Sequence, residues 1–506
     1  MAALLLLACF LCEATVILGQ SFPTAPPPGV IPNEKPTKPP GPYEIRVGMI
    51  IPMGNEEISR EVGFVRSAGA VPIAVDNIRR DHFLDAYNFT FYWKHGECSE
   101  SKAAGIAVEF IQEYQVHAII GPCCSGASIP VGIIAAYYNI PVYLWGMVTA
   151  NVLSDVKRFP TVMTVTADNL ELVEAFMEVM KAYNWDRFAL IYMDSVRQKC
   201  KYVREDMSAV LERADNADIS NSYTKKLENS SGEYVRKILE AVKLKARSGL
   251  KLRISAFHIY ISVIALCFDV DEDRRNFFLE LDFDPTTSAG DIVQFQKDLI
   301  QRIKGWPFYY NTTGDHMASV YARYLYDSMY LYGLSLNRTL SKNATQIRNG
   351  TEVSNNFADF AGASGEVKFN KLGFREPVLS LLALDSTDNV MRYALIKDNA
   401  AMNATFFPNY TNEYTSIWST RGGRRPLSRP ICGYDGQSCP VDMMKNAWVI
   451  AGICFGIILL IFGVLSVIYV IWAKQKEEER LDELWKIPHR LLDKYEPKSI
   501  RRCIEP

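Results

Sequence analysis

Seven cysteines, Cys98, Cys123, Cys124, Cys200, Cys267, Cys432 and Cys439, lie between two apolar segments of the chain and are its most reactive side chains. None falls in the paired CxxC spacing that marks a zinc site. They are expected to form disulfides, which need an oxidising compartment. Cys432 and Cys439 enclose only Gly-Tyr-Asp-Gly-Gln-Ser, a turn-rich stretch that a small staple can close. Cys98 can reach Cys123 or Cys124, and Cys200 can reach Cys267. Seven is odd, so one thiol is left over, expected at Cys123 or Cys124, either as a buried thiol or as a bridge between chains.

Eight Asn-x-Ser/Thr triplets begin at Asn88, Asn229, Asn311, Asn337, Asn343, Asn349, Asn403 and Asn409. All precede the second apolar segment and none follows it. One triplet means little, but eight on one side predict a glycosylated, lumenal face. The serines of the loop Cys124–Ser128 precede an apolar stretch expected to be helical. Their hydroxyls and the loop's backbone N–H groups suit an anionic group, although helix capping explains Ser125 and Ser128 equally well.

Enzymatic chemistry has no matching constellation. The six histidines (82, 95, 117, 258, 316 and 489) form no HExxH set, and there is no Walker loop, GxGxxG or G-x-S-x-G elbow. Lys plus Arg (55) nearly balance Asp plus Glu (57) over 506 residues, a net charge of −2, which argues against a nucleic-acid partner.

The apolar segments set the topology. Residues 1–19 read as a secretory signal peptide, and 20–42 as an extended linker with nine prolines in Ser21–Pro42. Ala447–Ala473 is twenty-seven residues without a charge, more than the roughly 20 needed to span a bilayer. Trp448, Tyr469 and Trp472 sit near its ends, where amphipathic rings favour the interface. Residues 421–446 are then a juxtamembrane segment and 474–506 a short cytoplasmic tail. The expected location is the plasma membrane, single-pass type I, with the N-terminal domain outside.

Between these segments, strands and helices alternate. Glu44–Pro52, Asn88–His95, Val116–Ile120 and Ile140–Trp145 read as strands; Arg60–Arg80 and Ser99–Tyr114 have helical spacing, with Ser99 as N-cap. The pattern restarts with a helix at Leu170–Tyr183, a strand at Arg187–Asp194, a helix near Tyr202–Arg213 and a strand at His258–Phe268. A long helix at Val320–Leu336 and a hairpin strand at Gly365–Asn370 follow. Two successive α/β units predict an α/β fold of two parallel-sheet lobes over residues 43–420, with a cleft between them. Ligands of such sheets bind beyond the carboxyl ends of the strands. That places Ser125, Ser128, Trp145, Thr149, Tyr192 and Ser195 at the candidate rims.

Several patches resemble one family. They are Cys98, Ile120-Gly121-Pro122-Cys123-Cys124-Ser125, Asn139-Ile140-Pro141-Val142, Arg158-Phe159-Pro160-Thr161, Asn184-Trp185 with Tyr192-Met193-Asp194, and Ser364-Gly365-Glu366-Val367 with Asn370 and Gly373. In this order they resemble the extracellular ligand-binding region of receptor guanylate cyclases and natriuretic-peptide receptors, a bilobed type I periplasmic-binding-protein fold. The Cys432–Cys439 pair matches too. Leu481-Asp482-Glu483-Leu484-Trp485-Lys486-Ile487-Pro488 is similar to the segment leading into the kinase-homology domain, particularly in the nematode set.

The resemblance implies a Cys98–Cys124 disulfide, with Cys123 as a departure from the family's Gly-Pro-x-Cys pattern. The same loop resembles the place where natriuretic receptors hold a chloride ion, here near the amides of Cys123 and Cys124. It also implies a homodimer, an extracellular ligand that is a peptide or small molecule, and cGMP as the output of a full-length form. A cyclase domain needs well over a hundred residues, and the 33 of Lys474–Pro506 cannot hold one. Two readings follow: the sensing half of a receptor cyclase, or a complete non-catalytic clearance or decoy receptor. The segment Lys474–Trp485 is expected to be a solvated charged helix, with a short coiled coil as the alternative.

Overall fold

The computed structural model describes residues 33–192, 199–228, 232–243, 245, 250–254, 257–261, 264–267, 279–283, 289–312, 317–385, 389–399, 403–419, 422–429, 431–433, 437, 439 and 447–486. The signal-peptide segment, Ser195, Asn229 and the tail beyond Lys486 lie outside these residues.

The first lobe starts with β1 (Glu44–Ile50), α1 (Glu56–Val62), α2 (Phe64–Ser67), α3 (Ala70–Arg80) and β2 (Asn88–Lys94). It continues through α4 (Glu100–Gln112), β3 (Ala118–Ile120), α5 (Ser125–Tyr138), β4 (Val142–Leu144) and β5 (Val162–Thr164). Its five strands pair in the order β2-β1-β3-β4-β5, all parallel. Val47 and Ile119 are fully buried in the sheet, as expected where helices cover both faces.

The expected single helix Arg60–Arg80 is three helices. It is broken at Gly63 and Gly69, where a Cβ would overlap the backbone of Ser59 and the carbonyl of Leu299 respectively. These glycines buy close approach at the expense of helix continuity. The Ser99 side chain does cap α4, accepting from Lys102 N at 3.4 Å. The end of the proline-rich segment is fastened to this lobe. Asn33 accepts from Trp93 N at 2.7 Å and donates to Trp93 O at 2.9 Å, satisfying backbone groups of the edge strand β2.

The second lobe follows as α6 (Asn169–Ala182), β6 (Arg187–Tyr192), α7 (Lys199–Leu211), β7 (Ser220–Lys226) and α8 (Gly232–Lys243). Strands β8 (Leu250–Ile254), β9 (Phe257–Ile261), β10 (Ile264–Cys267) and β11 (Leu279–Phe283) come next. The chain then returns to the first lobe for α9 (Ala289–Arg302), α10 (Ala322–Lys342), α11 (Gly350–Asn355), β12 (Phe360–Gly362) and β13 (Gly365–Val367). It crosses once more for β14 (Val378–Leu384), β15 (Val390–Asn399) and β16 (Asn403–Pro408).

The nine-stranded second sheet, β16-β15-β14-β11-β8-β9-β10-β6-β7, keeps parallel pairs at β6–β7, β6–β10 and β8–β11 and adds antiparallel ones. The expected strand His258–Phe268 is two antiparallel strands, with Ile261 opposite Ala265. The run is apolar between His258 and Phe268 but for Ser262, too slight a change of polarity to reveal such a reversal.

Each lobe has its own core. Phe110, Tyr143, Trp145 and Tyr332 fill the first, and Phe176, Phe188 and Trp418 the second. Full burial of each such side chain contributes about 1.5–3 kcal/mol.

Residues 431–506 form a second compact unit. Its helix α12 (Ala447–Trp485) is the one helix among the described residues long and apolar enough to cross a membrane. It runs past the apolar segment without a break through Lys474–Trp485.

Candidate functional site

The loops after β3 and β4 meet at the carboxyl edge of the first sheet. The Ser125 hydroxyl accepts from Thr149 N at 3.0 Å and Ala150 N at 3.2 Å, and donates to Met147 O at 3.4 Å. Ser128 donates to Cys124 O at 2.9 Å. Trp145 is buried beside Gly121, whose φ of 94° and tight contact with Ile50 exclude any other residue. Four of the expected rim residues, Ser125, Ser128, Trp145 and Thr149, are therefore assembled in one place. All four are buried, and both serine hydroxyls serve the loops themselves. The Thr149 Oγ1 is buried with no hydrogen-bond partner. Tyr192 ends β6 in the other lobe, where Arg204 donates to its hydroxyl at 3.4 Å.

Helix α7 of the second lobe reaches this edge and carries residues that the sequence reading missed. Its Tyr202 hydroxyl lies 3.6 Å from the point where a Cβ on Gly126 would sit, with the Glu100 carboxylate at 3.2 Å from the same point. One turn on, the buried Asp206 lies near the backbone of Asn151, in the turn after β4. Burial, and then the charge of Asp168, push its carboxyl up to about 7. Asn169 faces this carboxyl, fully buried, with neither amide atom completing a hydrogen bond. Asp168 itself caps α6 in a reciprocal box with Glu171. The signal was present in the sequence: Asp206 sits between Val203, Met207 and Val210, on the apolar face of its helix.

A second network joins two of the segments that pass between lobes. Asp327 on α10 is fully buried and accepts from Ala363 N at 2.7 Å, Ser364 N at 3.2 Å and the Ser364 hydroxyl. Burial raises its carboxyl, opposed by Arg375 and these bonds. Arg375 donates to Ser364 Oγ at 2.7 Å and, in the segment between β5 and α6, to Val165 O at 2.8 Å.

The far end of the second lobe holds the chain leading to α12. Trp185 Nε1 donates to Pro426 O at 2.8 Å, and Asp186 N to Ser428 Oγ at 3.0 Å. Arg429 pairs with the Asp186 carboxylate at 3.1 Å. Burial opposes ionisation of Asp186, but bonds from Ser428 and Arg429 hold it below the usual carboxylate range. Arg425 makes a bidentate pair with Glu413.

Cys98 and Cys124 form a disulfide with Cα atoms 5.5 Å apart, and Cys432–Cys439 form another. Cys200 is disulfide-bonded; the strand residue Cys267 expected to join it lies opposite Tyr192 in the sheet. The sulfurs of Cys98, Cys123 and Cys124 lie within 4.8 Å of one another, but two are joined to each other, which leaves no trithiolate for a metal. A small cavity here is lined by Pro122, Cys123 and Cys124 and also by Glu97. The Glu97 carboxylate accepts from Met53, Gly54 and Asn55 N–H groups at 2.7–3.0 Å. Burial opposes its charge, but these three bonds hold it low.

The family described as receptor family ligand binding region matches residues 66–250 and 299–387, more than half of the chain. The chain belongs to this receptor ligand-binding family. The two matched stretches cover most of both lobes and two of their connecting segments. The chain is 31% identical to the receptor-type guanylate cyclase gcy-6 of Caenorhabditis elegans, over 84% of this chain and 44% of that protein. Identity to gcy-14 and gcy-20 of the same organism is 29% and 30%, over 90% of this chain and 46% of each. The chain thus spans about half the length of the curated relatives it matches. That the aligned share of this chain reaches 90% carries the relationship beyond the ligand-binding lobes.

Proposed function

We propose that this chain is the sensing and membrane-spanning part of a plasma-membrane receptor of the guanylate cyclase family, with the lobes outside the cell. A ligand held between the lobes sets the production of cGMP by a full-length form. The observation that carries this reading is the order of parts: a bilobed receptor domain, then one apolar helix, in a chain that aligns with receptor-type guanylate cyclases over 84–90% of its length.

In this reading the ligand contacts the edge formed by Ser125, Ser128, Trp145 and Thr149 from one lobe and Tyr192 from the other. Because the serine hydroxyls are engaged and α7 lies against the edge, binding rearranges Tyr202 and Asp206 as well. The ligand shifts the lobe arrangement only by its differential affinity for the two states. Movement of the second lobe passes through Trp185 and Asp186 to residues 426–429, and on through the Cys432–Cys439 staple to the helix. Two copies act together as a homodimer, so the output is a change in their relative arrangement.

The test is a functional graft. Residues 1–486 are joined to the cytoplasmic half of a receptor guanylate cyclase, displayed on cells, and screened with peptides and small molecules for cGMP. Ligand-dependent cGMP that is lost in Thr149→Trp supports the reading. Surface display without any response, and without any binding to the isolated lobes, overturns it.

A further inference from the structure

We propose that the groove between the loop after β1 and the start of α2 binds a small monocarboxylate with an apolar body, its carboxylate held by Arg60 and Arg66. The groove has a volume of about 320 Å³, a size that suits a small molecule. Its apolar wall is Met53, Phe64 and Val65, and its polar lining includes Glu56, Ser59 and the two arginines.

The wall is set before any ligand arrives. Helix α1 stops at Gly63, whose N–H donates to Ser59 O at 3.1 Å and where a Cβ would overlap that carbonyl. Past this break Phe64 N donates to Pro52 O at 2.8 Å, which ties the wall to the end of β1. The Phe64 ring packs against Trp93, His95, Phe308 and Tyr310. Ser319 fastens the other side, donating from its N–H to Arg66 O at 2.9 Å and from its hydroxyl to Glu61 O.

The donors that remain point to the ligand's chemistry. The N–H groups of Met53, Gly54 and Asn55 are engaged by Glu97, and the Asn55 side chain accepts from Ile58 N at 3.2 Å. The start of α1 therefore has no role in holding an anion. Arg66 Nη1 donates to Arg60 O at 3.3 Å, which brings its guanidinium beside Arg60. Among the described residues neither arginine forms an ion pair, so both keep donors for a planar carboxylate. Ser59 Oγ completes no hydrogen bond, and rotation about its χ1 turns it to an acceptor in the groove. Glu56 is the one acid in the lining, so the two arginines leave one surplus positive charge. That balance matches a monocarboxylate better than a phosphate dianion.

The groove borders the edge described above. Val62 Cγ1 lies 3.3 Å from the point where a Cβ on Gly146 would sit, so α1 packs on the loop that leads to Thr149. That the bound acid is the receptor's signal rests on the receptor reading; its binding does not.

The experiment therefore reads binding alone, by titration calorimetry on the purified full chain in detergent. The probes are hydrocinnamate, hexanoate and indoleacetate, each paired with its uncharged primary amide and compared with phenyl phosphate. The expected result is saturable binding of at least one acid, with its amide and phenyl phosphate at least about tenfold weaker. Arg60→Gln and Arg66→Gln should each weaken that acid by about tenfold, while Arg60→Lys recovers part of the loss. Should Arg66→Gln not fold, the exposed Arg60 decides. No saturable binding of any acid, equal binding of acid and amide, or affinity unchanged in Arg60→Gln overturns the inference. Tighter binding of phenyl phosphate overturns the assignment to a carboxylate. Acid binding in a chain whose graft makes no cGMP upholds this inference and counts against the receptor reading alone.

Discussion

Arg375 donates a hydrogen bond of 2.8 Å to the carbonyl oxygen of Val165, tying together two of the segments that pass between the lobes. The same guanidinium holds the Ser364 hydroxyl, which in turn donates to the buried Asp327. One side chain thus neutralises a buried carboxylate and fastens the hinge.

Arg375→Ala is expected to destabilise the ectodomain by about 2–3 kcal/mol, because it leaves a backbone carbonyl and Asp327 without their cationic neighbour. Arg375→Lys should recover only part, since one ammonium cannot span the same acceptors. Denaturant unfolding of the two variants checks this; equal stability of all three proteins would contradict it.

Asp206 should give the ectodomain an unusual pH dependence. Its folded carboxyl titrates at about 7, raised from an ordinary value of 3.8 by burial and Asp168. The folded state therefore holds more protons than the unfolded state between those values. Stability from this group is complete below the unfolded value and is lost as pH rises through 7. His117 works the other way: burial and then Arg348 lower it to about 4, so its cost fades as pH rises towards 6.5. Comparing Asp206→Asn with wild type isolates the first effect. The variant's melting temperature should fall less between about pH 5 and 8; parallel curves would contradict the assignment.

The first lobe was largely legible because its parallel strands are short apolar runs closed by turn residues, such as Val116–Ile120 before Gly121-Pro122. Breaks imposed by close backbone approach were not legible. Gly63 and Gly69 look like tolerated glycines until Ser59 and Leu299 are placed against them. The rim was half legible: spacing put Ser125 and Thr149 at strand ends, but only coordinates show that one hydroxyl serves the other's backbone. Tyr202 left no signal, because a contact between lobes has no periodicity of its own, whereas Asp206 was legible as a carboxylate among Val203, Met207 and Val210.

Asp186 should couple binding to output. Asp186→Ala removes the bonds that its carboxylate accepts from the Ser428 hydroxyl and Arg429 while leaving the rim untouched. Ligand affinity of the graft described above should hold within about threefold while the maximal cGMP response drops, a split that separates coupling from binding. Loss of affinity with an unchanged maximum would contradict the route through the second lobe.

Glycans should follow exposure. Asn88, Asn311, Asn343 and Asn409 are exposed and are expected to be occupied. Asn349 is committed to structure: its Oδ1 accepts from Glu352 N at 3.1 Å and Asn139 Nδ2 at 3.0 Å, and its Nδ2 donates to Gln346. It should stay unmodified, and Asn349→Ala should cost about 1 kcal/mol as a lost helix cap. Glycopeptide mapping checks the pattern, and a fully occupied Asn349 would contradict it.

The central claim meets its most direct test in native membranes. An antibody against the lobes precipitates the protein, N-glycans are removed, and its mass and its conversion of GTP to cGMP are measured together. The account predicts a polypeptide roughly twice the 57.2 kDa of this chain, as the 44–46% coverage of its relatives implies, with cyclase activity in the precipitate. A band near 57.2 kDa without cyclase activity would contradict it and leave a receptor that binds ligand without making cGMP.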